Sequence, residues 1–540
     1  MSIKRLSAVL LALLVLGASA CGTLASPTSA PAEPAPYIYQ PPAATSAPDA
    51  YQAPAPSAAA PNSPGAGLSN NPGSGGPQNP NNLSTYDTFF QNYGVNPRID
   101  TQDDPLSTFG LDVDTGAYTV MRSYVDDGSL PPVDSVRVEE YINYFNQDYP
   151  NPPEGQAFGI NIDGGPDPFE ESGHYQMLRI GIQGYAVPEE QRQDVALTFV
   201  IDTSGSMGMD NRLGLVQRAL RLLVDQLRPS DSVSLVAFGT DARVVLDPTP
   251  GDHRKAILSA IDSLEPEGVT NAEAGLRLGY QMADEAFNPQ GLNRVILCSD
   301  GVANMGETGA EDIWDEIQRY AGSAITLTTV GVGTDNYNDT LMEQLADKGN
   351  GFYTYVDTLE EARRIFVTNL TSTLQVIAKD ARVQVEFNPE VVARYRLVGY
   401  ENRAIADQDF RNDNVNAGEL GAGHSVTALY EVKLYEGAGG KIASVHLRWQ
   451  NPNSGDTLET SQDVLTDQLA SDFRRTDPHF QWTVTVAEYA EILRNSYWAQ
   501  GHDLSEVLAQ AQRIDRSLED PDADEFVDLV RHAVCLSPEE

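Results

Sequence analysis

The stretch Val195-Ala-Leu-Thr-Phe-Val-Ile-Asp202-Thr-Ser-Gly-Ser-Met207 decides how this chain is read. It opens with an almost unbroken apolar run, the mark of a strand buried on both faces of a parallel sheet. The run stops at one carboxylate, Asp202, followed by hydroxyls at Ser204 and Ser206. Working outward, three more apolar runs of strand length follow: Ser232 to Phe238, Val295 to Cys298 and Ile325 to Val332. Amphipathic stripes at helical spacing lie between them, first Leu213, Val216, Leu220, Leu223 and Leu227, then Ala256, Ile257, Ala260, Ile261 and Leu264. Leu359 to Leu370 closes the series. Strands alternating with helices predict an α/β fold, a doubly wound and mainly parallel sheet.

Ligands in such sheets bind at the carboxyl ends of the strands, which is where Asp202, Ser204 and Ser206 fall. One carboxylate and two hydroxyls on a short loop offer hard oxygens suited to Mg²⁺ or Mn²⁺. Two further pieces occur in order. Gly268-Val-Thr270-Asn271 lies in a loop before a helix, and the strand ending at Cys298 runs into Ser299-Asp300-Gly301. This pattern resembles the metal ion-dependent adhesion site (MIDAS) of von Willebrand factor A (VWA) domains. The resemblance implies a complete site of Asp202, Ser204, Ser206, Thr270 and Asp300, with Asp300 reaching the ion through water and Asp202 either doing the same or binding directly. Only two carboxylates face the ion, so it keeps net positive charge and accepts an acidic side chain from a partner protein. The implied activity is adhesion-type binding, with no catalysis and a conjectural shift of Leu359 to Leu370 on ligand binding.

The flanking segments read differently. Thr115 to Val125 and Ser135 to Phe145 carry apolar residues at helical spacing, and from Phe158 to Val187 the period changes to two, as in antiparallel strands. Alternation returns after Thr373 in Ala381 to Phe387, Thr427 to Leu434 and Ala443 to Trp449, which is β-sandwich material. Helices end the chain, roughly Trp482 to Tyr497, Leu504 to Arg516 and Ala523 to Val534. The expectation is that strands before Asp194 and after Thr373 share one sandwich with the α/β unit inserted. Leu111-Asp-Val-Asp-Thr-Gly-Ala-Tyr118 and Glu139-Glu-Tyr-Ile-Asn-Tyr-Phe145 resemble the amino-terminal domain of a group of bacterial VWA lipoproteins, and the region after Thr373 is similar to their carboxyl-terminal domain. The expected organisation is a signal peptide over 1–20, a Pro/Ala/Ser/Asn-rich stalk over 21–84, an amino-terminal α+β domain over 85–192, the VWA domain over 193–373, a β-sandwich over 374–476 and helices over 477–540.

The 540 residues carry 77 acidic against 35 basic side chains, a formal charge of −42 that repels phosphate backbones and argues against a nucleic-acid partner. Lys4 and Arg5 precede an apolar run from Leu6 to Leu16, too short to span a bilayer and typical of an export signal. Ala18-Ser-Ala-Cys21 then resembles a bacterial lipobox, with Cys21 lipidated and the protein held at the cell envelope. The same residues also form an A-x-A site for ordinary cleavage, which leaves a secreted form open. Cys298 and Cys535 match no zinc or redox spacing, and sequence leaves their pairing open.

Enzymes form the first rival class. Asp114-Thr-Gly and Asp202-Thr-Ser-Gly mimic the paired loops of an aspartic protease, but Asp114 reads as a helix cap and Asp202 belongs to an α/β unit. Asp112-x-Asp114-Thr115 mimics a phosphotransfer loop, yet no βα series follows it. Ser204 as a nucleophile lacks a base, with His253 on a surface helix. A metal hydrolase wants more His or carboxylate ligands. The second rival is a structural protein in which the metal only ties the loops together.

Overall fold

The computed structural model describes residues 90–537, apart from 171–172, 302–309, 334–337 and 416. The expected export signal, Cys21 and stalk lie outside the described residues. Among those described, no helix is long and apolar enough to cross a membrane.

The chain enters with β1 (Ile99–Asp100), β2 (Leu106–Gly110), α1 (Gly116–Asp126), α2 (Val138–Tyr144), β3 (Phe158–Pro166) and β4 (Tyr175–Gly184). Asp114 does not cap α1. Thr115 holds the cap position without a side-chain bond, while Asp114 accepts from the Tyr353 amide at 3.0 Å and from Arg403 at 3.1 Å. Arg403 wins that carboxylate because a buried charge demands a counter-charge before a helix demands a cap.

The central unit runs β5 (Val195–Asp202), α3 (Arg212–Val224), β6 (Ser232–Phe238), β7 (Ala242–Pro250), α4 (Arg254–Asp262), α5 (Ala272–Glu285), β8 (Leu292–Ser299), α6 (Ala310–Gly322), β9 (Ile325–Gly331), α7 (Asp339–Lys348), β10 (Tyr353–Tyr355), α8 (Leu359–Arg363), a π-turn (Arg364–Thr368) and α9 (Leu370–Leu374). Its sheet has the order β10-β9-β8-β5-β6-β7, parallel except for β7. β5 at the centre is buried along its whole length. Leu197, Phe199 and Ile201 face the core under α3 and α4, while Val200 faces the one under α5 and α7. Both faces covered by helices is the doubly wound arrangement that the apolar runs predict. β7 escaped the sequence reading because it is a largely exposed edge strand containing Pro248 and Pro250, residues tolerated only at an edge.

The remainder comprises β11 (Val376–Phe387), β12 (Val392–Val398), β13 (Gly418–Gly421), β14 (Ser425–Leu434), β15 (Lys441–Gln450), β16 (Thr457–Leu465), α10 (Pro478–Leu493), α11 (Leu504–Asp515) and α12 (Pro521–Leu536). One antiparallel sheet runs β1-β12-β14-β4-β3, and the other runs β13-β11-β15-β16 with β2 also paired to β11. Each sheet therefore mixes strands from before and after the central unit, which is inserted between them. Leu178, Ile180 and Ile182 of β4 meet Val383, Val385 and Leu447 in the core between the sheets.

The helices repeat this interleaving. Tyr118 of α1 stacks on Tyr144 of α2 at 3.9 Å, and Phe145 meets Trp482 at 5.5 Å and Phe526 at 5.5 Å. α10 starts four residues before the expected Trp482 because Asp477 accepts from the His479 amide at 2.9 Å and Pro478 opens the helix. The end of the central unit is held from both sides. Arg122 of α1 bonds Asp357 at 2.6 Å and Glu361 at 3.1 Å, and Arg364 bonds Asp522 of α12 at 3.0 Å. Cys298 is a free thiol buried in β8, and Cys535 is exposed.

Candidate metal site

β5 delivers Asp202 to the sheet edge with its side chain fully buried. One carboxylate oxygen accepts the Ser204 amide at 2.8 Å, and the other accepts the Ser299 hydroxyl at 2.6 Å. The first bond is the local turn that Asp favours; the second ties the end of β5 to the end of β8. Ser204 Oγ lies 3.0 Å from Ser206 Oγ, and Ser206 donates to Asp300 Oδ1 at 2.9 Å. Since the single Ser206 proton goes to Asp300, Ser204 is the donor in the serine pair. Four predicted residues, Asp202, Ser204, Ser206 and Asp300, thus form one cluster joined directly or through Ser299.

Thr270 sits in the adjoining loop and is half-buried. Gly205 N donates to Gly268 O at 3.1 Å and Glu267 N donates to Thr203 O, which pins that loop against the Asp202 loop. Gly268 has φ +75°, and a Cβ there would lie 2.3 Å from Thr240 Oγ1, so glycine is required at this turn. Asn271 then caps α5 by accepting the Ala274 amide at 3.1 Å. The Thr270 hydroxyl is not part of the hydrogen-bonded cluster that joins the other four among the described residues.

Burial pushes the Asp202 carboxyl up to about 7, against the bonds from Ser299 and Ser204, and the neighbouring Asp300 charge adds to the rise. Burial also raises Asp300, opposed by Arg212 and Ser206. Arg212 Nη1 contacts Asp300 Oδ2 at 2.9 Å, both side chains being nearly inaccessible. Two crowded carboxylates among hydroxyl oxygens form a hard donor set whose mutual repulsion a cation relieves, so these residues fit a divalent ion. Sequence reasoning named neither Ser299 nor Arg212 as part of the site. Ser299 stands beside Asp300 in the sequence, whereas nothing in the stripe of α3 distinguishes Arg212.

A second carboxylate group invites comparison. Oxygens of Asp112, Asp114 and Glu343 lie within 4.8 Å of one another. Arg403 already fills that group, at 2.8 Å from Asp112, 3.1 Å from Asp114 and 3.1 Å from Glu343. It is an internal ion-pair cage linking the flanking segments to α7. Asp114 and Asp202 also keep separate sets of partners, unlike a protease dyad sharing one proton. His253 is exposed, with 63% of its side-chain surface in solvent. A cleft of about 720 Å³ lined by Asp347, Arg403 and Glu419 contains none of the five predicted residues.

The model described as von Willebrand factor type A domain matches residues 196–385, enclosing all five predicted positions. Models described as von Willebrand factor and as Uncharacterized protein YfbK, C-terminal, match 84–178 and, in two parts, 372–441 and 435–536. The chain is 35% identical over 472 residues to Uncharacterized protein YfbK of Escherichia coli (strain K12), covering 82% of this chain and 80% of that protein. The chain belongs to the YfbK-like VWA domain proteins. A further relative of this VWA protein is Uncharacterized protein sll0103 of Synechocystis sp., 27% identical over 58% of this chain and 76% of its own length. The solved structure titled von Willebrand factor type A from Catenulispora acidiphila aligns with TM-score 0.43 and 16% identity over 72% of this chain and 91% of that one. VWA domains in general mediate protein interactions and commonly bind a divalent metal at the MIDAS.

Proposed function

We propose that this VWA protein captures an acidic side chain of a partner protein through Mg²⁺ or Mn²⁺ held by Asp202, Ser204, Ser206, Thr270 and Asp300. The observation that carries the reading is the cluster of hard oxygens drawn from β5, β8 and their loops, with Ser206 bonded to Asp300 at 2.9 Å. When bound there, the ion supplies a Lewis-acidic position for an incoming carboxylate. The protein's own residues do the rest. Ser299 and the Ser204 amide orient Asp202, Ser206 orients Asp300, and the Gly268 turn carries Thr270 to the same edge.

The loops are already tied by Gly205 to Gly268 at 3.1 Å and by Ser206 to Asp300 at 2.9 Å, so an ion is not needed to hold them together. That favours recruitment over a purely structural metal. Among the described residues the Ser204 hydroxyl pairs with the Ser206 hydroxyl and no imidazole is bonded to it, which favours binding over hydrolysis. Export through the Leu6 to Leu16 segment and anchoring through lipidated Cys21 would place the site outside the cytoplasm, at the envelope, where adhesion or envelope assembly takes place.

The test is Mn²⁺ titration of the full chain and of Asp202→Ala, followed by pull-down from envelope extracts in Mg²⁺ and in chelator. Metal binding by the wild type alone, with partner retention that chelator abolishes, is the expected result. Equal retention by Asp202→Ala in chelator overturns it.

A further inference from the structure

Arg212 is the first residue of α3 and is 4% exposed. The chain reaches it through two consecutive left-handed residues that are not glycine, Asp210 (φ 47°) and Asn211 (φ 58°). Such backbone persists only where its surroundings enforce it. Two glycines make the room. A Cβ on Gly214 would lie 2.0 Å from Asn211 Oδ1, and a Cβ on Gly333 would lie 2.3 Å from Arg212 Nε and 2.7 Å from its Cζ. The guanidinium so placed meets Asp300 Oδ2 at 2.9 Å, on the opposite side of the carboxylate from Ser206, which bonds Oδ1.

We propose that Arg212 is a positioning residue of the metal site that trades metal affinity for ligand affinity. The inference rests on the metal reading of the preceding section. Acting through Asp300, the single positive charge of the guanidinium offsets one of the two carboxylates that the described residues bring to the site. The offset weakens the protein's own hold on a cation, because less negative charge faces it where water is excluded. It also leaves the bound ion more electropositive toward a carboxylate from outside. The ligand class is therefore an anionic oxygen donor, and Arg212 sets how strongly it is drawn.

The experiment measures Mn²⁺ affinity by calorimetry on the full chain, with glutarate as the carboxylate probe and water-proton relaxation as its readout. Arg212→Gln is expected to tighten Mn²⁺ by about tenfold and to weaken glutarate by a similar factor. Arg212→Lys, which keeps the charge, stays close to the wild type. Gly333→Ala pushes the guanidinium off Asp300 while keeping the arginine, and shifts both affinities in the same direction as Arg212→Gln. A merely structural arginine would lower the melting temperature with and without metal alike and would not tighten Mn²⁺. Equal or weaker Mn²⁺ binding in both Arg212→Gln and Gly333→Ala overturns the inference. A wild type that binds no Mn²⁺ overturns the site reading, and this inference with it.

Discussion

Ser206 donates its hydroxyl proton to Asp300 at 2.9 Å, joining loops that lie 94 residues apart in the chain. The bond holds together two oxygens from the loops that follow β5 and β8 of the VWA sheet. Ser206→Ala removes one oxygen donor and leaves Asp300, among the described residues, with its bond to Arg212. Its expected effect is a loss of about tenfold or more in Mn²⁺ affinity, with stability in chelator lowered by only about 1 kcal/mol. Calorimetric metal titration alongside a urea melt checks both halves, and unchanged Mn²⁺ affinity would remove Ser206 from the site.

Arg403 lies among Asp112, Asp114 and Glu343, all buried. Truncating it strands several carboxylates without a counter-charge. Arg403→Met is therefore expected to cost about 3–5 kcal/mol. The urea midpoint of the variant measures this, and a loss below about 1 kcal/mol would mean that the cage relaxes or takes up protons at little cost.

Glu419 on β13 has both carboxylate oxygens buried without a hydrogen-bond partner among the described residues, and burial pushes its carboxyl up to about 8. An unfolded glutamate titrates near about 4.3. Between these values the folded chain holds a proton that the unfolded chain releases, so this group's contribution is present at low pH and lost as pH rises through about 8. Glu419→Gln stays neutral throughout. Its melting temperature relative to the wild type should climb from about pH 5 to about pH 9, and a flat difference would rule out the buried acid as the cause.

His424 has the opposite sign. Burial pushes its imidazole down to about 4, helped by Arg294 and Arg364, against about 6.5 when unfolded. Its contribution is present above about pH 6.5 and is lost as pH falls toward about 4. His424→Gln is expected to gain on the wild type between about pH 6.5 and about pH 4, as read by thermal melts at both ends.

Phe526 of α12 is fully buried against Trp482 at 5.1 Å, Tyr489 at 5.1 Å and Phe145 at 5.5 Å. Because these rings come from both ends of the chain, Phe526→Ala should cost about 3–5 kcal/mol. It should also loosen α1 and α2, a change that amide hydrogen exchange at Tyr118 and Tyr141 would detect.

The α/β unit was legible because its strands are buried on both faces, and burial on both faces leaves an uninterrupted apolar signature such as Val195 to Ile201. The Asp202, Ser204 and Ser206 loop was legible because strand-end oxygens at fixed spacing are a local pattern. β7 was not, since an exposed edge strand has no buried face to mark it. The helix start at Asp477-Pro478 carries a readable cap, but the apolar stripe that marks the helix by periodicity begins only at Trp482. Asp114 misled because a carboxylate before a helix looks like a cap, while its true partner, Arg403, lies 289 residues away.

Sequence alone determined the local features: which segments become buried strands and helices, and which oxygens crowd the end of β5. Tertiary structure alone decided which charges pair and which strands pair. Arg212 on Asp300, Arg403 among three carboxylates, and β4 beside β14 all join residues whose separation along the chain carries no periodic signal. Periodicity records only whether a residue faces the core, whereas a buried charge records nothing until the chain has folded its partner into reach.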